Sequence, residues 1–224
     1  MDVPSLRFWP VITHLGSAGL MLPVAAMTVA GLWFSGRRAA LVAWLAALVG
    51  GAALVLATKL AFMGWGVGSA ALDFTGISGH TMLASSILPA WLGWLLARYG
   101  QRFSAPGLIL GLLLGALVAV SRVVLGAHSV SEVIFGWLVG TAVTLAAWHA
   151  LAGPLRWSRL SLLALLPLSL SLSATTANYL PAYHWEQRVA IWLSGHATPY
   201  TRTDLLGGRI QTGVRDAPAA RGRA

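Results

Sequence analysis

The 224-residue chain has no cysteine and very little charge. Without cysteine it can form no disulfide, no thiolate nucleophile and no cysteine-ligated metal centre. Only 9% of its residues are charged, against about 25% in a typical soluble domain. In contrast, 57% are hydrophobic and the mean hydropathy is +0.75. These values exclude an ordinary soluble domain and indicate an integral membrane protein.

Acidic residues are scarce, and only Asp73 and Glu132 lie between Pro4 and Trp185. A membrane interior tolerates few carboxylates, so each one there needs a physical reason. The net charge of +9 does not indicate nucleic-acid binding, because the arginines lie in short pairs between apolar segments or in the polar tail. We therefore expect a bilayer and no nucleic acid among the partners. Nothing in the sequence specifies an oligomeric state.

Several apolar segments are long enough to cross a bilayer, which takes about 20 mostly apolar residues in a helix. They are Val11–Phe34, Ala39–Phe62, Thr81–Arg98, Pro106–Leu125 and Val130–Leu151, with a weaker sixth near Leu160–Leu180 that contains Pro167. The sequence thus predicts an all-α, polytopic membrane bundle of about six transmembrane helices in residues 1–185. Residues 186–224 are predicted to form a polar C-terminal tail, largely disordered after about residue 207.

Basic residues are concentrated in alternate loops of this predicted bundle. They are Arg37-Arg38, Arg98 with Arg102, and Arg156 with Arg159. Three such loops lie on one face of the membrane, and the positive-inside rule makes that face cytoplasmic. The segment from Lys59 to His80 and the break from Leu125 to Val130 then face the other side, which is the periplasm if the protein lies in a bacterial inner membrane.

Pairs of glycines four residues apart occur on the fourth and fifth predicted spans. They are Gly111 with Gly115, and Gly136 with Gly140. This spacing lets helix backbones approach closely. Glycine is also common in membrane helices, so the sequence leaves both interpretations open.

Two polar stretches at the ends of apolar segments carry the candidate chemistry: Ser78-Gly79-His80, and Ser121-Arg122 followed by His128 and Glu132. Ionisable residues are costly beside bilayer-length segments, so a functional site is the default hypothesis. Glu132 lies one helical turn after His128 and on the same face. Its carboxylate can therefore fix the tautomer of His128 and stabilise the imidazolium.

These residue types suit cleavage of a phosphate ester. A nucleophile such as His128 attacks phosphorus, donors hold the other oxygens, and an acid protonates the leaving group. The guanidinium of Arg122 is a planar donor fork suited to phosphate. Ser78 and Gly79 precede a helix whose first N–H groups are unpaired. His80 is then a candidate acid for the leaving group and a later base for water.

The string from Ser121 to Glu132 resembles the third signature of the type 2 phosphatidic acid phosphatases, a superfamily shared with vanadium haloperoxidases: Ser-Arg, five residues, His, three residues, Asp. Ile77-Ser78-Gly79-His80 resembles the second signature, Pro-Ser-Gly-His, and Lys59 falls where the lysine of the first belongs. The resemblance implies that His128 forms a phosphohistidine, that Glu132 orients it and that His80 is the general acid. It also implies that Lys59, Arg122, Ser78 and Gly79 bind phosphoryl oxygens, and it implies no metal or other cofactor.

The chain departs from the family pattern at several positions. Where the family has Arg-Pro, six residues after the lysine, this chain has Gly66-Val67, so one phosphate-binding cation is missing. Arg188 and Arg202 are candidates to replace it. In addition, Ile77 stands in place of proline, and Glu132 is one methylene longer than the family's aspartate.

Some of these residues also have structural interpretations. Ser129-x-x-Glu132 before an apolar segment is a capping box, and Lys59 can snorkel from a helix end. Asp73 is interpreted as a turn or cap residue. A second Ser-Gly-His at 194–196 precedes no spanning segment and is interpreted as a coincidence.

The sequence therefore predicts an integral membrane lipid phosphatase with its active site on the outer side of the membrane. The predicted substrate is a phosphate monoester or diphosphate of a membrane lipid, and polyprenyl diphosphate, phosphatidic acid and phosphatidylglycerophosphate all fit. The alternative is a non-catalytic scaffold or lipid-phosphate-binding protein that lost activity with the missing arginine.

Overall fold

The computed structural model of the protein describes residues 5–151, 182–208 and 210. Its α-helices are α1 (Ser5–His14), α2 (Ala18–Phe34), α3 (Arg38–Trp65), α4 (Gly79–Ala97), α5 (Ser104–Val124), α6 (Val130–Leu151), α7 (Ala182–Ser194) and α8 (Arg202–Leu206), with a 3₁₀ turn at Gln101–Phe103. Within the described ranges there is no β-strand, and a single antiparallel bridge joins Ser69 to Phe74. The predicted all-α membrane bundle is confirmed.

Among the described residues, three helical stretches are long and apolar enough to cross a membrane. They are Phe8–Phe34, which contains most of α1 and all of α2, Arg38–Trp65 and Gln101–Val124. A shorter apolar stretch follows at Val130–Ala146 in α6. The predicted sixth span near Leu160–Leu180 lies outside the described residues.

Helix α4 occupies the centre of the bundle and packs against α2, α3, α5 and α6. It carries several buried hydroxyl groups, of which Ser85 donates to the carbonyl of Thr81 at 2.6 Å and Ser86 to that of Leu83 at 3.1 Å. In turn, the hydroxyl of Thr144 in α6 donates to the carbonyl of Ser85 at 3.0 Å. Satisfying these groups internally lets a helix with polar side chains lie in a membrane interior.

Glycines on α5 and α6 allow both helices to approach α4 closely. A Cβ at Gly111 would overlap the backbone of Pro89, and one at Gly136 would lie 2.7 Å from the carbonyl oxygen of Ser78. At Gly140 a Cβ would lie 2.5 Å from the carbonyl oxygen of Met82. The close-approach interpretation of the glycine pairs is therefore confirmed.

The helix directions place the polar stretches at one end of the bundle. The C-termini of α3 and α5 and the N-termini of α4 and α6 meet there. Arg38 begins α3, and at 1.5 Å per residue it lies about 30 Å along that helix from Lys59. The turn that contains Arg98 and Arg102 lies at the same far end, because α4 starts at the polar end and runs away from it.

Part of the predicted polar tail folds back on the polar end of the bundle. Helix α7 packs against α3, and the backbone N–H of Tyr200 donates to the carbonyl of Met63 at 2.8 Å. Leu205 of α8 is buried in a small apolar cluster with Phe62 and Met63. This apolar cluster holds residues of the C-terminal segment beside the C-terminus of α3 and the N-terminus of α4.

Candidate active site

A cavity of about 400 Å³ opens at this polar end of the bundle. Its lining includes Lys59, Gly79, His80, Arg122, His128, Glu186 and Arg202. The sequence predicts that two histidines and two cations share one site, and the structure brings them to one cavity: Lys59 from α3, His80 from α4, Arg122 from the end of α5 and His128 from the turn before α6. Apolar side chains, among them Phe62 and Met63, also line this cavity.

His128 and Glu132 form the closest pair at the site. Nδ1 of His128 lies 2.7 Å from Oε2 of Glu132, across one turn at the start of α6. The side chain of Glu132 is 0% exposed, while that of His128 is 16% exposed at the cavity. With Nδ1 engaged by the carboxylate, Nε2 is the ring nitrogen that can meet a ligand.

Glu132 also caps the helix on which it lies. The backbone N–H of Ser129 donates to Oε2 of Glu132 at 3.2 Å, and the backbone N–H of Glu132 approaches the hydroxyl of Ser129 at 3.4 Å. This is the reciprocal pattern of a capping box. The capping interpretation is confirmed, while the role of Glu132 in orienting His128 stays a prediction that this contact allows, because the carboxylate has enough acceptor sites for both.

Thr75 is a partner of Glu132 that the sequence analysis missed. Its backbone N–H and its hydroxyl donate to Oε1 of Glu132 at 2.8 and 2.5 Å. Thr75 lies in the loop before α4, 57 residues from Glu132, and also lines the cavity. No local pattern marks such a residue, because the contact depends on how α6 meets this loop.

Ser78 lies behind the cavity wall and does not line the cavity. It is the N-cap residue of α4, its backbone N–H donates to the carbonyl of Glu132 at 3.1 Å, and its hydroxyl lies 3.1 Å from that of Thr81. It is fully buried. Ser78 therefore helps to hold α4 against α6, while the adjacent Gly79 lines the cavity.

Arg122 presents its guanidinium to the cavity from the last turn of α5. One terminal nitrogen, NH1, donates to the hydroxyl of Thr13 in α1 at 3.1 Å. Its Nε–H is buried and has no hydrogen-bond partner among the described residues. Buried donors are nearly always paired, so this N–H is a candidate donor to a bound anion.

Lys59 is held at the cavity by the loop before α4. Gly76 has φ of +151°, and a Cβ at this position would lie 2.9 Å from Cγ of Lys59. Glycine alone adopts this backbone conformation readily and lets the loop lie against the lysine stem. The ammonium group pairs with both carboxylate oxygens of Glu186 in α7, at 2.9 and 3.1 Å.

Arg202 brings a further cation to the cavity from α8. NH1 lies 2.8 Å from Oδ2 of Asp73, and NH2 lies 2.7 Å from Oε2 of Glu132. Of the two candidates to replace the missing first-signature arginine, Arg202 therefore reaches the site, whereas Arg188 is exposed and does not line the cavity. Asp73, interpreted from sequence as a turn residue, has φ of +47° and also pairs with this arginine.

The second Ser-Gly-His has a structural contact. Nδ1 of His196 lies 2.7 Å from the carbonyl oxygen of Gly64, at the end of α3, and His196 is not among the residues that line the cavity.

Comparisons with known proteins identify the family. The model of the PAP2 superfamily matches residues 66–155. The chain is also 36% identical over 206 residues to an uncharacterised 22.5 kDa protein from the cps region of Klebsiella pneumoniae, covering 88% of this chain and 97% of that protein. The chain belongs to the PAP2 superfamily. The PAP2 match includes His80, Arg122, His128 and Glu132, while Lys59 and Arg202 lie outside it.

A solved PAP2 structure has a similar fold. The first transmembrane PAP2-type phosphatidylglycerolphosphate phosphatase from Bacillus subtilis matches this chain with a TM-score of 0.52 and 23% identity. The match covers 66% of this chain and 78% of that one. At this identity the likeness shows the fold, and it supports an integral membrane PAP2 bundle.

Proposed function

We propose that the protein is a membrane lipid phosphatase that works through a phosphohistidine on His128. The observation that carries the proposal is the single cavity shared by His128, His80, Arg122 and Lys59, with His128 backed by the buried carboxylate of Glu132 at 2.7 Å. A nucleophile, an acid and two cations are the parts that phosphoryl transfer requires.

In the first step, Nε2 of His128 attacks phosphorus, and the bond from phosphorus to the leaving oxygen breaks; that oxygen belongs to the lipid alcohol in a monoester and to the inner phosphate in a diphosphate. Glu132 accepts the hydrogen bond from Nδ1–H and balances the positive charge that forms on the ring. Arg122 and Lys59 hold the non-bridging oxygens, whose charge must be stabilised throughout the transfer. Lys59 does so after its ammonium leaves Glu186 for the substrate.

His80 serves the leaving group. A phosphate dianion in the cavity favours the protonated form of a neighbouring histidine, which then donates its proton to the departing lipid oxygen. In the second step neutral His80 takes a proton from water, and the water oxygen attacks the phosphohistidine. Inorganic phosphate leaves, and both histidines return to their starting forms.

The substrate class follows from where the cavity lies. It opens at the end of helices that are long enough to span a bilayer, so a lipid head group can enter while its chains stay among lipids. Phosphatidic acid, phosphatidylglycerophosphate and polyprenyl diphosphate all present a terminal phosphate there. The Bacillus subtilis neighbour is a phosphatidylglycerolphosphate phosphatase, which supports inclusion of that lipid among the candidates.

The proposed location is the bacterial inner membrane, with the cavity on the periplasmic side. The arginine-bearing turns at Arg37-Arg38 and Arg98–Arg102 lie at the opposite end of the bundle from the cavity. By the positive-inside rule that opposite end is cytoplasmic.

The test is phosphate release by the purified protein in detergent from a panel of these three lipids. Release is expected from at least one lipid, with and without EDTA, because the proposed charge stabilisation comes from protein cations. His128→Ala is expected to abolish release, while His184→Ala, at an exposed histidine of α7, is expected to leave it intact. Acid-labile, alkali-stable label from a ³²P substrate should appear on wild-type protein quenched in alkali during turnover and not on His128→Ala protein.

The outcome that contradicts the proposal is equally definite. If folded wild-type protein binds lipid phosphates but releases inorganic phosphate from none of them, with or without added divalent cations, the protein is a non-catalytic binding protein and the proposal is wrong. Release that is lost with EDTA and restored by a metal ion would refute the metal-independent form of the proposal.

A further inference from the structure

We infer that Arg202 is a positioning residue of this site, which keeps the Glu132 carboxylate ionised and aligned with His128. The inference rests on the proposed function for its kinetic consequence. It concerns a residue of the C-terminal segment, 47 positions beyond the end of the PAP2 match at residue 155.

The first argument is the burial of Glu132. Its side chain has no exposed surface, yet it receives donors from Thr75, Ser129 and His128. Neutral donors stabilise a buried carboxylate but do not cancel its charge. The guanidinium of Arg202, 2.7 Å from Oε2, is a permanent cation and supplies that balance.

The second argument is the tautomer of His128. An ionised Glu132 accepts a hydrogen bond from Nδ1–H, which leaves the lone pair on Nε2 for attack on phosphorus. A buried carboxyl group without a cation tends to take up a proton. Oε2 is the oxygen that faces His128, so a proton there would favour the tautomer with the lone pair on Nδ1 and would block the attack.

The third argument is that Arg202 is fixed in place. Thr201 and Asp204 form a capping box around the start of α8, and Leu205 is buried against Phe62 and Met63 of α3. The other end of the guanidinium is held by Asp73 at 2.8 Å. The arginine therefore ties the loop before α4 to the first turn of α6.

The same contacts distinguish positioning from direct binding of phosphate. NH1 of Arg202 donates to Oδ2 of Asp73. NH2 lies 2.7 Å from Oε2 of Glu132 and 3.3 Å from the hydroxyl oxygen of Thr75. Two carboxylates already share this cation. The family's first-signature arginine is missing here, because the chain has Gly66-Val67 in place of Arg-Pro, and Arg202 brings a guanidinium to the site. We infer that this guanidinium acts on His128 through Glu132 and does not bind phosphate directly.

The kinetic test compares Arg202→Gln, Arg202→Lys and the control Arg188→Gln, an exposed arginine of the same segment. We expect Arg202→Gln to lower kcat about 10- to 100-fold with KM unchanged, by analogy with the loss of an outer-shell partner that orients a metal-ligating histidine. Arg202→Lys should recover part of kcat, and Arg188→Gln should match wild type. A rise in KM and in the inhibition constant of inorganic phosphate, with kcat unchanged, would instead make Arg202 a phosphate ligand and overturn the inference.

A second measurement does not depend on turnover. With ¹⁵N-labelled histidine, the His128 signals, assigned by their loss in His128→Ala, should show a protonated Nδ1 and an unprotonated Nε2 in wild type and Arg188→Gln. In Arg202→Gln we expect either the opposite tautomer, with Nε2 protonated and Nδ1 unprotonated, or averaged ¹⁵N shifts from a mixture of the two tautomers. Arg202→Lys should restore the wild-type signals. Unchanged His128 signals in folded Arg202→Gln would refute the inference even if the wild-type protein hydrolysed no lipid, whereas changed signals without lipid hydrolysis would count only against the proposed function.

Discussion

Oε2 of Glu132 lies 2.7 Å from Nδ1 of His128, and the whole Glu132 side chain is closed off from solvent. The longer side chain, in place of the family's aspartate, also reaches the hydroxyl and backbone of Thr75 through its other oxygen. The pair is thus held by the loop before α4 as well as by the helix that carries it.

This arrangement predicts that glutamate cannot be replaced by the family's aspartate here. Glu132→Asp shortens the side chain by one methylene and pulls the carboxylate away from Thr75 or from His128. We expect kcat to fall, and to fall further in Glu132→Gln, by about 10²- to 10⁴-fold, as when the carboxylate of a catalytic His–carboxylate pair is made neutral. Steady-state kinetics on the preferred lipid measure both. Wild-type kcat in Glu132→Gln would show that the carboxylate is only a helix cap.

Thr75 offers a milder test of the same pair. Thr75→Val removes the hydroxyl donor but keeps the backbone N–H, so we expect kcat to fall about 10- to 100-fold, in line with about 1.5–3 kcal/mol for a hydrogen bond to a charged group. Thr75→Ser keeps the hydroxyl and should remain close to wild type. Equal activity of the valine and serine variants would mean that the backbone N–H alone holds Oε1.

The ion pair between Lys59 and Glu186 predicts an unusual gain on mutation. In the absence of substrate, Glu186 occupies the ammonium group that the proposed mechanism assigns to phosphate. Glu186→Gln removes this competing negative charge, and we expect KM to fall about three- to tenfold, or about 1 kcal/mol, at the upper end of what partly exposed ion pairs contribute. Glu186→Asp, which keeps the charge, is the control. A rise in KM in the glutamine variant would instead indicate that the carboxylate binds the substrate head group.

Glycine substitutions test the packing around α4. A methyl group at Gly140 would meet the hydroxyl of Ser85 and the backbone of Met82, whereas one at Gly50 in α3 meets nothing within 4 Å. We expect Gly140→Ala to lower the free energy of unfolding by about 1–3 kcal/mol, the usual cost of overpacking, while Gly50→Ala leaves it the same or slightly raised. Thermal unfolding in one detergent compares them. Equal stability of the two variants would show that α6 can shift away from α4 at little cost.

Local spacing accounts for the part of the site that the sequence predicted. His128 and Glu132 are four residues apart at a helix start, and this spacing alone brings them together. The apolar segments likewise predicted where α2, α3 and α5 lie, because bilayer-length hydrophobicity is a strong signal. The convergence of Lys59 and His80 with this pair follows from the alternating directions of the helices.

Contacts between distant segments were beyond such reasoning. Thr75, Glu186 and Arg202 meet the site through the loop before α4 and the folded C-terminal segment, and no periodic pattern marks them. Ser78 shows that a motif can be recognised without revealing where its side chain lies. Its side chain is buried between α4 and α6 and does not line the cavity. Arg202 was one of two arginines considered, and only the packing of α8 on α3 distinguishes it from Arg188.

The positions of Thr13 and Arg202 bear on how the newly synthesised protein matures. Thr13 holds Arg122 from the first helix, and Arg202 holds Glu132 from the last described one. A chain that is still emerging from the ribosome cannot make the second contact before residue 202 has been synthesised. His128 therefore reaches the environment described here only after residue 202 has been synthesised and has docked beside Glu132.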